Sequence, residues 1–310
     1  MVSGMTNARP LHKKDKHIAL DASEKASGVI AYILLTLMAL LAILPCLHVI
    51  SKGISAGSQV AAGKIYFWPV KIQFETIDFV LNKTSFFTSL RNSLIVTGLG
   101  TGLSMFTTVT TAYPLSKPAF RGRKTITFLY VFSMVFFGGI IPAYMVVRTL
   151  GLIDTYFACI LPFAIVQFNM FIMKNYFEGL PESVEESAKI DGAGDLRTLV
   201  HIVLPMSVPV IATVALLYAI NYWNNYFHVM MYTNSTGMRT MQLYLYDIIN
   251  NGQAYTESIY MGGGSGLSSN VTIDSMVAAA VSMSLVPIIA LYPFIQRYMI
   301  KGITIGSVKG

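Results

Sequence analysis

The sequence predicts an all-α integral membrane protein with six transmembrane helices and both termini in the cytoplasm. Apolar residues make up 54% of its 310 residues, charged residues make up only 12%, and the mean hydropathy is +0.58. A soluble domain has about a quarter of its residues charged. The apolar residues also form six long uncharged runs, and the Lys and Arg residues between these runs are unevenly distributed. Together these observations predict that lipid, rather than water, surrounds most of the chain.

Each of the six apolar runs is long enough to cross a bilayer core of about 30 Å, which takes roughly 20 helical residues. None of the runs contains an interior Asp, Glu, Lys or Arg. The first run exceeds the roughly 7–15 apolar residues of a signal peptide, so we expect it to be retained as a span. The predicted spans are Val29–Ile50, Ser93–Leu115, Thr125–Val147, Tyr156–Met173, Ile202–Trp223 and Met276–Phe294.

The Lys and Arg residues predict the orientation of these spans. Fifteen of the 22 lie on the side of the N terminus, and seven lie on the opposite side. Because positively charged segments are retained in the cytoplasm, both termini are predicted to be cytoplasmic. The predicted segments between the spans include a cytoplasmic tail (1–28), a cytoplasmic loop (178–205) and two external loops (51–91 and 224–274), the last with a glycine-rich run, Met261–Gly266.

The segment that follows the fourth run is polar enough to lie outside the membrane. Six of the 15 acidic residues of the chain lie between Glu178 and Asp195. Pro181 suits the first turn of a helix, and acidic residues just after it complement the positive end of the helix dipole. The segment therefore predicts a short helix, whose apolar side would be formed by Leu180, Val184, Ala188 and Ile190.

Two glycines predict where this helix ends. Gly192 and Gly194 favour a turn because glycine adopts backbone conformations in which other residues are strained. Asp195 is the predicted N-cap of a second helix, which would enter the membrane through Leu204 and Pro205. These features leave two interpretations open: an interfacial helix pair that merely joins two spans, or a protruding helix that docks into a groove on a soluble partner.

The spacing within this segment resembles the EAA loop of ATP-binding-cassette importer permeases. The matching residues are Glu186-Ser187-Ala188, then Gly192 after three further residues, and Ile202-x-Leu204-Pro205 after nine more. Ser187 replaces the commoner second alanine, and the continuation through Ala193 resembles the carbohydrate branch of the family. Other segments that resemble this branch are Asn92-Ser93, Ala112–Ser116, Gly122–Lys124, Tyr222–Asn224 and Gln296–Gly306.

The resemblance implies a type I importer permease fold over residues 29–310, in the inner membrane of a bacterium. It implies a permease subunit that forms half of the translocation pathway for sugars, in particular oligosaccharides. The implied partners are a homologous second permease, two cytoplasmic ATP-binding-cassette ATPases and an extracytoplasmic solute-binding protein. ATP and Mg would be bound by the ATPases, so this chain would hold no cofactor and would not be an enzyme. The residues implied in ATPase coupling are Glu186, Ser187, Ala188, Asp191, Gly192, Ala193, Leu204 and Pro205.

Polar and aromatic residues within the spans are candidates for a sugar pathway. Sugar hydroxyls need hydrogen-bonding partners such as amides, and the C–H faces of sugars stack on aromatic rings. The candidates are Gln167, Asn169, Tyr218, Asn221, Tyr222, Trp223 and Asn224. Two alternatives stay open: Tyr222 and Trp223 also suit an aromatic belt at the membrane surface, and Gln167 and Asn169 suit hydrogen bonding between helices.

Other classes of function fit the sequence less well. A secondary carrier coupled to ions normally has ionisable residues within its spans, and the six runs contain no Asp, Glu, Lys or Arg. The five histidines and two cysteines are scattered, without the spacing of a metal or catalytic site, and the chain lacks the G-x-x-x-x-G-K-[ST] motif of an ATPase. A passive channel or an ion-coupled carrier for small polar solutes remains the alternative to an ATP-driven importer.

Overall fold

The computed structural model describes residues 22–261 and 271–306. The chain divides into two units, Met1–Leu47 and His48–Gly310. Within the described ranges the secondary structure is helical, apart from one isolated antiparallel bridge between Ser55 and Ile72. The prediction of an all-α protein is therefore confirmed for this part of the chain. The glycine-rich residues 262–266 of the second predicted external loop lie outside the described residues.

Fifteen α-helices, α1 to α15, make up the described chain, together with a few short 3₁₀ and π turns. They are α1 (Ala22–Gly53), α2 (Gly57–Ala61), α3 (Glu75–Lys83), α4 (Phe86–Ser116), α5 (Arg123–Val135), α6 (Ile140–Thr149), α7 (Tyr156–Ile160), α8 (Gln167–Glu178), α9 (Glu182–Ile190), α10 (Asp195–Thr198), α11 (Leu204–Met206), α12 (Val208–Asn224), α13 (Phe227–Tyr232), α14 (Met241–Met261) and α15 (Ile273–Gly306).

Three unbroken stretches of helix are long and apolar enough to cross a membrane. They are Ser27–Gly53, Phe86–Ser116 and Ile273–Ala290. Three pairs of helices pass the same test only together, because each pair is bent: α5 with α6 by 115°, Tyr156–Phe163 with α8 by 51°, and Asp195–Met206 with α12 by 84°. The described residues thus contain between three and six spans, and they reach six if each bent pair is one span.

The bends correct the sequence prediction, which treated the third, fourth and fifth spans as continuous runs. Between α5 and α6 the helix is interrupted at Phe136–Gly139, and Gly139 has a φ of 95° that glycine adopts readily. Pro162 and Pro209 stand near the other two breaks. Proline lacks a backbone N–H and disfavours helix in the residue before it. Apolarity alone carries no information about such backbone breaks.

The segments predicted as external loops also contain helices. Residues 51–91 include α2, α3 and the first residues of α4, while 224–274 include α13 and α14. In α3 the acidic residues lie in the first turn and Lys83 lies in the last turn, which suits the helix dipole. One face of α3 packs with α14, α15 and the start of α4 around buried Val80, Phe86 and Tyr244. Polar composition in these segments therefore does not mark irregular structure.

The main core of the second unit lies around α4, which packs against α8 and α12. Large side chains such as Phe177, Met170 and Tyr218 are buried there. Gly100 of α4 lies against the ring of Tyr222, and a Cβ atom at this position would come within 2.8 Å of ring atoms. Absence of a side chain at Gly100 therefore allows α4 and α12 to approach each other closely.

Candidate functional site

Helices α9 and α10 form a short helical hairpin, which we call the helical tip (residues 182–200). Gly192, between the two helices, has a φ of 76°. Its N–H donates to the carbonyl of Lys189 (3.0 Å), and the N–H of Ala193 donates to the carbonyl of Ala188 (2.9 Å). This pair of hydrogen bonds is the Schellman arrangement, in which a glycine in the left-handed region ends a helix. The predicted helix, glycine turn and second helix are confirmed.

Several details of the tip differ from the prediction. The N-cap of α10 is Gly194 rather than Asp195, which is the first helical residue and makes no side-chain capping bond. Pro181 stands just before α9 rather than in its first turn. Ile190 is 86% exposed and so does not belong to the packed side of α9, whereas Ala188 is 5% exposed. Residues two apart lie on nearly opposite sides of an α-helix, so Ile190 does not share the face of Ala188.

The second helix of the tip also does not continue straight into a span. α10 is one turn long and leads through a π-helical turn (Leu199–Val203) into α11, which ends at the bend before α12. Leu204 is partly buried and Pro205 is exposed in this connection. The 84° bend lies between Met206 and Val208, within the predicted span Ile202–Trp223.

Ion pairs hold the tip, and the end of α8 just before it, against neighbouring helices. The Lys117 ammonium, just after α4, pairs with Glu185 of α9 and lies 4.7 Å from the centre of the Tyr113 ring. Arg123, the first residue of α5, pairs with Glu178. Lys174 of α8 contacts the same carboxylate at 2.7 Å. The first contact joins the tip to the end of α4, and the other two hold Glu178, at the end of α8 just before the tip. Sequence reasoning missed the pairs of Lys117 and Arg123 because their partners are 68 and 55 residues away.

A cavity of about 800 Å³ lies between α9 and the connection from α4 to α5. Its lining carries both signs of charge, from Lys117, Arg123, Glu182, Glu186 and Lys189 among others. The outer end of the tip is different. Ile190, Leu196 and Val200 are 86%, 75% and 47% exposed, respectively, and the exposed polar residues Glu186, Ser187 and Asp191 lie close to them in sequence. The tip therefore exposes three large apolar side chains together with acidic and polar ones.

Two of the candidate pathway residues, Tyr218 and Tyr222, are almost fully buried in the core. The Tyr218 hydroxyl lies 2.7 Å from the Thr108 hydroxyl and accepts from the N–H of Val166 at 3.1 Å. The Tyr222 hydroxyl lies 2.9 Å from the Ser104 hydroxyl and donates to the carbonyl of Ile160 at 3.1 Å. Neither side chain lines an open surface in this structure, and the ring of Tyr222 is not part of an exposed aromatic belt.

These tyrosines instead stabilise the break in the span formed by α7 and α8. Ile160 and Val166 flank the 3₁₀ turn Leu161–Phe163, where the helical hydrogen-bonding pattern is interrupted. Backbone groups freed by such a break need other partners inside a membrane. The hydroxyls of Tyr218 and Tyr222 provide two of them. A role in positioning therefore accounts for both residues.

The other candidate residues occupy different environments. Gln167 donates to the hydroxyl of Ser133 on α5 at 3.2 Å, which is a hydrogen bond between helices, and Asn169 is buried. Trp223 is 9% exposed, and its indole N–H has no partner among the described residues. Asn221 and Asn224 are exposed at the end of α12. Of the predicted set only Asn221 and Asn224 are exposed, so the structure does not gather the set into one site.

Sequence reasoning missed a set of polar contacts around Asn92, which is fully buried. Its amide donates to the carbonyls of Gly237 (2.8 Å) and Arg239 (3.0 Å), and its oxygen accepts from the Tyr156 hydroxyl (2.8 Å). The neighbouring Ser93 hydroxyl accepts from the N–H of Met241 at 2.7 Å. The Asn92-Ser93 pair thus fixes the start of α14 against α4. The only sequence signal was its resemblance to the carbohydrate branch.

Asp154 makes a second set of hydrogen bonds to the segment between α13 and α14. Asp154 accepts from the backbone N–H groups of Asn234 (3.0 Å) and Ser235 (2.9 Å) and from the Ser235 hydroxyl. The bonds to Ser235 are the main reason why the pKa of Asp154 lies below its ordinary value. Arg239 contacts Asp247 of α14 at 2.8 Å, while burial raises the pKa of this carboxyl. No group of three potential metal ligands occurs in the described chain.

The chain is similar to known transport proteins over most of its length. Residues 120–305 match the family described as "Binding-protein-dependent transport system inner membrane component". The chain is 39% identical to the polygalacturonan/rhamnogalacturonan transport system permease protein YtcP of Bacillus subtilis, over 91% of this chain and 98% of the relative. It is also 39% identical to protein LplC of the same organism, over 86% of this chain and 90% of the relative.

A solved structure shows the same fold. It is a chain of a bacterial ABC transporter involved in the import of the acidic polysaccharide alginate. The two chains are 34% identical, the TM-score is 0.81, and the match covers 90% of this chain and 98% of the other. The similarity therefore extends over nearly the full length of both chains.

Proposed function

This chain belongs to the family of binding-protein-dependent transport system inner membrane components, and from this premise we propose that it forms half of the membrane pathway of an ATP-driven oligosaccharide importer. It is a permease subunit of a sugar transporter and a multi-pass membrane protein, not a catalytic subunit. The observation that carries the proposal is the helical tip: a structured polar hairpin with an exposed apolar end, within the fold of an importer permease.

The proposed topology counts each bent pair of helices as one span, which gives six spans with both termini in the cytoplasm of a bacterial cell. The distribution of Lys and Arg supports this orientation. The helical tip then lies in the cytoplasm, together with the connection from α4 to α5. The contacts of Asn92 and Asp154 lie on the external side, near the segment that connects α13 to α14.

We propose that the tip docks into a groove on a cytoplasmic ATP-binding-cassette ATPase. Ile190 and Leu196 are 86% and 75% exposed, in a segment that the proposed topology places in water. Burial of such a side chain contributes about 1.5–3 kcal/mol, so a partner that covers both gains substantial affinity. Glu186 and Asp191 would pair with basic residues of the partner and fix its orientation.

The ion pairs at the base of the tip would transmit the motion of the ATPases. Lys117–Glu185 and Arg123–Glu178 are partly exposed, and such pairs contribute only about 0–1 kcal/mol to stability. Their value would lie in position, because the first attaches the tip to the end of α4 and the second attaches the end of α8, just before the tip, to the start of α5. α4 in turn contacts α12 through Ser104 and Thr108. A path of direct contacts therefore leads from the tip to the proposed pathway.

The proposed pathway runs along the face of the core where Asn221 and Asn224 are exposed. Gln167, Asn169 and Trp223 line or support it, while Tyr218 and Tyr222 hold the broken helix in place behind it. A homologous second permease would supply the other half, and an extracytoplasmic binding protein would deliver the substrate. ATP and Mg would be held by two ATPase subunits.

The names of the relatives suggest the substrates to examine first. Two of those quoted above are named for polygalacturonan, rhamnogalacturonan or alginate, and a more distant relative is named for arabinooligosaccharides. We therefore propose an oligosaccharide as substrate, with uronic-acid oligomers as the leading class. Uptake by the reconstituted complex of both permeases, the ATPases and the binding protein tests this. Labelled trigalacturonate and maltotriose serve as an acidic and a neutral probe.

The proposal predicts uptake of a trisaccharide that requires both ATP and the loaded binding protein. ATP hydrolysis by the complex should increase when the loaded binding protein is added, whereas this chain alone should hydrolyse no ATP. Uptake that continues without the ATPase subunits would show a passive channel instead.

A further inference from the structure

We propose that the end of α12, Tyr226 beyond it and the first turns of α14 form a saccharide-contact surface. Its members are two tyrosines, Tyr226 and Tyr246, and two amide side chains, Asn224 and Gln242. Only Asn224 was among the residues that the sequence indicated. The inference rests on the proposed function, because it supposes that a sugar passes this chain.

The two tyrosines form a stacked pair. Their ring centres are 5.0 Å apart and their planes are inclined by 19°. Tyr226 is 39% exposed and Tyr246 is partly buried against the core. Neither hydroxyl has a hydrogen-bonding partner in the described part of the chain. In this respect the pair differs from Tyr218 and Tyr222, whose hydroxyls are all engaged.

The two amides lie beside this pair. The Gln242 amide nitrogen is 3.5 Å from the Asn224 side-chain oxygen, which is the outer limit of a hydrogen bond. Asn224 is exposed and Gln242 is partly exposed. Gln242 and Tyr246 are four residues apart on one helix, so they share a face of α14. The weak contact leaves the Asn224 amide N–H groups and the Gln242 carbonyl available to a ligand.

This combination fits a saccharide better than lipid. Aromatic rings accept the C–H face of a sugar, and amides both donate to and accept from its hydroxyls. Lipid chains would leave two amides and two phenol hydroxyls without partners, which costs free energy for each group. Another stacked pair, Tyr144–Tyr232, shows the contrast: Tyr232 is 1% exposed and belongs to a small apolar cluster.

Hydrogen bonds also hold the backbone next to Gln242 and next to Tyr226. Asn92 and Ser93 bind the backbone at Gly237, Arg239 and Met241, directly before Gln242. Asn225, next to Tyr226, accepts from the N–H of His228 through its side chain at 3.2 Å. A surface that must receive a sugar without rearrangement benefits from such support, because preorganisation lowers the entropic cost of binding.

The test uses the reconstituted complex and whichever trisaccharide, trigalacturonate or maltotriose, the unaltered complex takes up. The readout is the number of sugar molecules imported per ATP hydrolysed at saturating loaded binding protein. Tyr246→Ala and Gln242→Ala should each lower this ratio by roughly fivefold, from the loss of a stacking or hydrogen-bonding contact. Tyr246→Phe, which keeps the ring, should retain it. Tyr66→Ala, at an exposed tyrosine outside the surface, is the matched control.

Different outcomes separate the two proposals. An unaltered complex that imports neither sugar contradicts the proposed function, and the inference with it. An active complex whose ratio is unchanged in both alanine variants contradicts only the inference. Loss of the second permease from the purified variants would overturn it as well, because Tyr246 and Gln242 would then contact a protein rather than a sugar.

Discussion

The ring of Tyr222 lies so close to Gly100 that a Cβ atom there would come within 2.8 Å of it. The ring cannot move away freely, because its hydroxyl is bonded to Ser104 and Ile160. Gly100→Ala should therefore destabilise the packing of α4 on α12 by about 1–3 kcal/mol, the usual cost of overpacking. Thermal unfolding of the detergent-purified protein measures this change.

Gly98→Ala provides the control for this experiment. A Cβ atom at Gly98 would meet nothing within 4 Å, and alanine favours helix over glycine by about 1 kcal/mol. The control should leave the unfolding temperature unchanged or raise it. Equal destabilisation by both substitutions would show that the contact with Tyr222 is not the cause.

The ion pair of Lys117 and Glu185 gives the second prediction. Lys117→Glu and Glu185→Lys should each lower sugar uptake per ATP hydrolysed, because each places like charges together where the tip joins α4. The double variant restores opposite charges and should recover most of the coupling, while ATP hydrolysis stays similar throughout. If the double variant is as poor as the single ones, the pair does not transmit motion.

The Asp154 carboxylate gives a prediction about pH. Its hydrogen bonds with Ser235 and Asn234 lower its pKa below the ordinary value of 3.8. The folded pKa is depressed, so the contribution of this group to stability is present above pH 3.8 and is lost as the pH falls through the folded pKa. Hydrogen exchange at the amides of Asn234 and Ser235 should therefore show protection at pH 5 that declines below about pH 4.

Asp154→Asn is the matched variant for this effect. Its amide cannot ionise, so the protection at pH 5 should be lower and should no longer depend on pH in this range. If amide protection declines below pH 4 by the same amount in the variant, a group other than Asp154 causes the decline.

Topology is tested by labelling single cysteines after replacement of Cys46 and Cys159. Cysteines at Lys14 and Gly310 should react only with reagent on the cytoplasmic side, and one at Gly263 only with reagent outside. All three positions lie outside the described residues. Ser235 is described and exposed, and a cysteine there should behave like the one at Gly263. Reaction of either from the cytoplasm would reverse the orientation inferred from charge.

The parts of this protein that were predictable from sequence depend on local features. The turn at Gly192 was predictable because a glycine after a short polar helix favours the left-handed C-cap. The buried contacts of Asn92 were not predictable from sequence, because they join residues that are 145 and 147 positions apart. The bends at Gly139 and Ser207 escaped detection because apolar runs report polarity and not backbone direction. The hydrogen bonds of Tyr222 were also unpredictable, because its partners Ser104 and Ile160 are 118 and 62 residues away.

The central claim is that the helical tip couples this permease to an ATPase, and Gly192 offers the most direct test. A Cβ atom at Gly192 would meet nothing within 4 Å, so a substitution there acts through the φ of 76° and not through crowding inside this chain. A residue other than glycine in this conformation costs roughly 1 kcal/mol or more. Gly194 has a φ of −74°, so Gly194→Ala is a matched control without strain.

The measurement is the amount of ATPase that co-purifies per permease, together with sugar uptake. Gly192→Asp should leave the permease in the membrane but release or uncouple the ATPase. Glu186→Ala should do so less severely, because it removes one polar contact and leaves the turn at Gly192 intact. Gly194→Ala should retain both ATPase and uptake. Normal ATPase content and normal uptake in both Gly192→Asp and Glu186→Ala would contradict the claim.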